Sequence, residues 1–179
     1  MKKVLGIGNA LVDVLIRLEN DALLQELNLR KGSMQLVDSN FKQLVLEKTK
    51  HLSKAQASGG SAANTIHGLA ALGTPTAYIG KVGDDETGKF FTNDLVSNHI
   101  KPFLETSNTG TGVASALISP DSERTFGTYL GAAVEVGPED LRPEQFEGYD
   151  ILHIEGYLVF NEALIETAVR MAKERNMTV

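Results

Sequence analysis

Two polar residues near the start of the chain stand where chemistry could be done. A short apolar run, KVLGIG at 3–8, ends in a glycine turn, and Asn9, Leu11 and Asp13 follow at even spacing. In an extended chain that spacing puts all three on one face. Asp13 is surrounded by Leu11, Val12, Val14, Leu15 and Ile16. A carboxylate in such company must find donors or bear a desolvation cost of several kcal/mol. A ligand with adjacent hydroxyls would supply two O–H donors to it. An internal cap or ion pair would serve as well. A second constellation lies in SGGSAANTIHGLAALGTP at 58–75. Gly59 and Gly60 let the backbone approach a ligand closely, and Asn64, one turn into the helix that follows, can both donate and accept. This suits a polyol, and it also suits a glycine-rich helix start packed through Ala62, Ala63 and Gly68.

Other motifs fall away on inspection. GIGNAL at 6–11 has two of the three glycines of a dinucleotide fingerprint, but Leu11 fills the third place and the next segment reads as strand rather than helix. GDDETGKF at 83–90 satisfies GxxxxGK, then places Phe90 where a Mg²⁺-binding hydroxyl belongs. Its acids Asp84, Asp85 and Glu86 would repel phosphates and instead suit the start of a helix. His51, His67, His99 and His153 lack HExxH spacing, and no GxSxG is present. No metal-ligating set emerges.

The elements that must position these residues follow from periodicity. Strands are predicted at 3–8, 12–19, 33–38, 76–82, 112–118, 123–130 and 150–154, with MTV at 177–179 beginning another. Helices are predicted from an Asp21 cap to about Leu29, over 40–50, after Gly60 to a stop at Gly73 and Pro75, over 86–98, and from an Asn161 cap onward. Ser119-Pro120-Asp121-Ser122 has the residues of a type I turn. Strands alternating with helices imply an α/β fold with a mostly parallel sheet flanked by helices. Residues 12–38 and 110–130 break the rhythm and read as a small β-sheet lid on a core of 1–11, 39–109 and 131–179. The chain stops as a strand starts after a helix, which predicts the N-terminal part of a longer protein.

The 179 residues are 42% apolar and 22% charged, with a formal charge of −6 and no cysteine. That suits a globular domain, excludes disulfide frameworks and thiolate chemistry, and makes a reducing cytoplasm the easier home. Basic residues are scattered, so neither nucleic acid nor an anionic membrane is expected as a partner. No apolar run approaches the ~18 residues of a membrane span. The opening MKKVLGIGNALVDVLI is not expected to be a signal peptide, because Asp13 interrupts it and no cleavage site follows.

GGSAANTIHGLAALGTPTAYIGKVGDDETGKFF at 59–91 resembles the N-terminal signature of the ribokinase (PfkB) family of sugar and nucleoside kinases, and GNALVDV at 8–14 resembles its first substrate-binding segment. Within the family, KGSMQLVD (31–38), ERTFGTYLGAAVEVGPEDL (123–141) and HIEGYL (153–158) look most like bacterial adenosine kinases. The resemblance implies a ribokinase-like fold and transfer of the ATP γ-phosphoryl group, with Mg²⁺, to the primary hydroxyl of a small-molecule nucleoside or sugar, adenosine first. It implies that Asp13 holds ribose hydroxyls beside Asn64 and the Gly59–Gly60–Ser61 turn. Asn9 and Leu11 would line the same pocket, Met34 and Leu36 would pack on the base, and Tyr157 would face them. Arg124 would approach the transferring phosphoryl group, the one catalytic assignment in this chain.

The family's second signature, a glycine-rich turn ending in the aspartate base, is absent from these residues, as are the ATP-binding loops. The expectation is therefore an acceptor-binding half, inactive alone. A ribose or fructose kinase and a non-catalytic sugar- or nucleoside-binding protein are the alternatives. Projecting lid strands leave unpaired edges, through which a homodimer could form.

Overall fold

The computed structural model describes residues 1–179. In chain order its first elements are β1 (Val4–Ile7), β2 (Leu11–Arg17), α1 (Ala22–Glu26), β3 (Met34–Leu36), α2 (Ser39–Lys48), β4 (Lys54–Gly59) and α3 (Ser61–Ala71). They are followed by β5 (Thr76–Gly83), α4 (Glu86–Ser97), β6 (Ile100–Ser107), β7 (Gly112–Ile118), β8 (Arg124–Tyr129), β9 (Ile151–Ile154) and α5 (Glu162–Lys173). Short 3₁₀ turns at Gly131–Glu135, Pro138–Asp140, Pro143–Phe146 and Gly156–Phe160 link β8, β9 and α5. No helix is long and apolar enough to cross a membrane.

The strands form two sheets. A four-stranded sheet in the order β6-β5-β1-β9 is wholly parallel, and a five-stranded sheet in the order β3-β8-β7-β2-β4 is mixed. Alternation along β1 sorts side chains to the two faces of the parallel sheet. Val4, with Tyr78 of β5, packs toward Ala62, Ala63 and Ile66 of α3 and Phe91 and Leu95 of α4. Leu5 and Ile7, with Ala77 and Ile79, pack toward Leu164, Ala168 and Ala172 of α5. The α3 cluster continues under the mixed sheet through Val12, Val14, Ile16, Val113 and Leu117, where Leu24 and Val45 cover them. One face of that sheet is thus sealed, and the other is left for Asp13 and its row.

Most predicted elements appear within two or three residues of their expected bounds. Two strands were not foreseen. β4 carries KAQASG, exposed for its first four residues, and β6 carries Pro102. β6 is an edge strand, where a residue without an N–H is tolerated. β4 supplies an edge of the mixed sheet from a stretch the sequence reading gave to the core. Asp21 does not cap α1 with its side chain; its carboxylate binds Lys31 Nζ at 2.7 Å, and the same nitrogen holds Asp121 of the 119–122 turn. The expected final strand is a single parallel bridge between Thr178 and Ile151.

Candidate functional site

Register assembles the site. Across the mixed sheet Leu36, Thr128, Ala114, Asp13 and Ala57 are successive partners, so they form one row on one face. The adjacent row holds Met34, Phe126, Ala116, Leu15 and Ala55. Small alanines at the middle of both rows leave a hollow, which opens into a cavity of about 670 Å³. That is the size of a small-molecule site. Met34, Leu36, Ala114, Thr128 and Leu130 wall it from the mixed sheet, and Val134, Val136, Tyr157, Leu158, Phe160 and Asn161 face them from beyond β8. Asn9, Leu11, Gly60, Ser61 and Glu155 complete the lining. Several large apolar side chains at its mouth stay exposed, Leu36 at 62%, Tyr157 at 66% and Phe160 at 91%.

Asp13, between Ala114 and Ala57 in the first row, lies against Gly59. A Cβ on Gly59 would lie 2.2 Å from Asp13 Oδ1, so only glycine leaves room for the carboxylate. Gly60 has φ +94, and a Cβ there would come within 2.3 Å of the Asn9 carbonyl oxygen. The exit of β1 and the start of α3 therefore touch through backbone. Burial pushes the Asp13 carboxyl above the ordinary carboxylate value, the charge of Arg124 partly offsets this, and no hydrogen bond contributes. Arg124 stands on the same face two rows beyond Thr128, beside the site rather than in the cavity lining.

Glu155, at the end of β9, is the residue that sequence reasoning missed. It is only 2% exposed. Its Oε1 accepts from the Ser61 N–H at 3.0 Å and the Ser61 hydroxyl at 2.7 Å, and its Oε2 accepts from the Asn9 N–H. One carboxylate thus ties together β1, α3 and β9. The signal that singled out Asp13, an acid at the exit of an apolar strand, is present in HIEGYL as well. Burial, and then the charge of Glu155, raise the Tyr78 hydroxyl well above its usual value. Asn161 fixes the opposite wall: its Oδ1 accepts from the Leu164 N–H and its Nδ2 donates to the Val136 carbonyl.

The structure brings Asn9, Leu11, Met34, Leu36, Gly60, Ser61 and Tyr157 to the cavity lining and packs Gly59 on Asp13. Asn64 is exposed and outside that lining; its N–H donates to the Gly60 carbonyl in the first turn of α3. The acidic turn at 83–86 is a clasp. Asp85 caps α4 by accepting from the Gly88 N–H, and it also accepts from the N–H and hydroxyl of Thr111 at the head of β7. Its burial would raise the carboxyl, but these bonds and the charge of Lys42 outweigh that and hold it below the ordinary value. Asp85 thus occupies the start of α4 from within the chain.

Comparison with known proteins identifies the family and the fold. The pfkB family carbohydrate kinase pattern matches residues 33–179. The chain is 31% identical over 131 residues to an ATP-dependent ribose-1-phosphate kinase of Halopiger xanaduensis, covering 71% of this chain and 43% of that protein. It superposes on a probable sugar kinase from Rhizobium etli with a TM-score of 0.86 at 32% identity, and on the adenosine kinase from Sinorhizobium meliloti with 0.84 at 35%. Each alignment covers 98% of this chain and 54% of the other, so the chain spans about half the length of the proteins it matches. From the two-sheet architecture and the matched pattern, the chain belongs to the pfkB family of carbohydrate kinases.

Proposed function

We propose that this chain supplies the acceptor-binding part of a kinase that phosphorylates the primary hydroxyl of a nucleoside, with adenosine as the acceptor. The observation that carries this reading is Asp13: a half-buried carboxylate without internal hydrogen bonds, in the same row as three residues that wall a large apolar cavity. Two ribose hydroxyls satisfy that carboxylate. A flat base fills the space between Met34 and Leu36 on one side and Tyr157 on the other, covering apolar surface now open to water. Residues 12–38 and 110–130 act as the lid that excludes water, with Arg124 at its edge toward the transferring group.

ATP is the phosphoryl donor and Mg²⁺ its companion, supplying charge neutralisation on the phosphates. The chain's own residues bind and orient the acceptor, and the proton of the attacking hydroxyl goes to an aspartate outside residues 1–179. The setting is a reducing cytoplasm. A second copy pairs along the free edges of β3 or β4.

A sugar kinase acting on ribose or fructose is the second reading, favoured by the relatives that carry sugar-kinase names. Calorimetric titration with adenosine, ribose and fructose decides between them. Adenosine binding at least tenfold tighter than either sugar is expected, since only adenosine uses the apolar walls. Equal affinities would favour the sugar kinase, and no binding of any of the three overturns both readings.

A further inference from the structure

The charge that lines the cavity itself is of one sign. Its sixteen lining residues include Glu155 and no lysine, arginine or histidine. Asp13 adds a second carboxylate in the row that walls it, next to Ala114. The cations on that face of the mixed sheet, Arg17 and Arg124, pair through Ile118 two rows further out.

The start of α3 sharpens the argument. A Gly-Gly turn opening an eleven-residue helix offers unpaired amides and the positive end of a helix dipole, the usual seat of a phosphate or carboxylate. Here the seat is already filled from within. Glu155 accepts from both the N–H and the hydroxyl of Ser61, and with its other oxygen from the Asn9 N–H. Three donors aimed at two oxygens is the arrangement of an ionised carboxylate. The chain carries its own anion where a ligand's would sit, walled by leucine, valine and methionine that screen poorly.

We infer that the cavity admits an uncharged acceptor and refuses an anionic one, and that Glu155 sets this choice. The inference rests on the acceptor-site reading above and narrows its substrate class: neutral nucleosides or sugars enter, while sugar phosphates and sugar acids do not. A ligand anion roughly 6 Å from Glu155, at an effective dielectric of about 20, is disfavoured by about a hundredfold.

The test uses ligands matched in shape and differing in charge: adenosine 5′-carboxamide against adenosine 5′-carboxylate, and ribose against ribose 1-phosphate, titrated into the chain by calorimetry at pH 7 and fixed ionic strength. Each anion is expected to bind about a hundredfold more weakly than its neutral counterpart. In Glu155→Gln the gap is expected to narrow at least tenfold. An anion binding as tightly as its neutral counterpart overturns the inference while leaving the acceptor site standing. Binding of neither kind overturns the acceptor-site reading and this inference together. A folded Glu155→Gln protein with an unchanged gap removes Glu155 from the role. Should that variant not fold, the wild-type comparison still decides whether anions are refused.

Discussion

Replacing Gly59 by alanine strikes the candidate site where it is tightest. The added methyl would stand 2.2 Å from Asp13 Oδ1, 2.5 Å from its Cγ and 2.9 Å from Oδ2. Gly59 lies in β4, paired with Leu11, and its backbone makes no left-handed demand, so the strand itself accepts alanine. The whole strain falls on the carboxylate, which must turn away from its row. Hydrogen bonds to a charged group contribute about 1.5–3 kcal/mol each. Losing one or two of them costs about 3 kcal/mol of acceptor binding, or about two orders of magnitude. Crowding adds a folding cost of about 1–3 kcal/mol. The control is Gly68→Ala on the exposed side of α3, where a Cβ meets no atom within 4 Å. It should stabilise the fold by about 1 kcal/mol, as alanine does in a helix interior, and leave binding alone. Thermal melts and calorimetry with adenosine read both effects. A folded Gly59→Ala protein that binds adenosine at wild-type affinity would refute the placing of Asp13 at the acceptor.

Further outcomes follow from Asp13 and from a second charged pair, Lys81 and Asp140. Asp13→Asn keeps the shape and removes the charge, so acceptor affinity should fall at least tenfold, about 1.4 kcal/mol; wild-type titration curves would exclude Asp13 from the site. Acceptor binding needs charged Asp13, so affinity should be full at neutral pH and decline on acidification through a pKa above the ordinary 3.8. In the free protein the raised value works the other way: Asp13 favours folding in acid, and that contribution is lost as pH rises through the native pKa. Lys81→Met strips the partner from Asp140, which Lys81 Nζ meets at 2.8 Å with both side chains nearly buried. A loss of about 3 kcal/mol and a melting temperature lower by roughly 6–12 °C are expected; a shift under about 2 °C would show that the pair contributes little.

What the sequence made legible is what burial writes into it. β1, β5 and β7 are mostly apolar and buried on both faces, and α5 carries a clear apolar stripe, so each could be read directly. β4 could not, because KAQASG is polar or small and becomes a strand through its pairing with β2 rather than through any pattern of its own. β6 was hidden by Pro102. At the site, Asp13 announced itself as an acid among aliphatics, and Gly59 and Gly60 as a doublet before a helix. Glu155 gave the same signal and was passed over in a segment read only for its tyrosine. The row from Leu36 to Ala57 had no signature at all, because register between strands is a property of the assembled sheet.

The place of β1 has a consequence for how the molecule is made. Val4 lies beside Thr76 on one side and Ile151 on the other. The second edge of β1 therefore stays open until Ile151 and its neighbours have been made. All five strands of the mixed sheet have been synthesised by Tyr129, more than twenty residues before β9 begins. That sheet can order while the nascent chain still holds β1 half-paired, and such long-range parallel pairing closes slowly. Through that interval a buried strand of valine, leucine and isoleucine stands open to neighbouring chains, the stage at which a chaperone has most to protect.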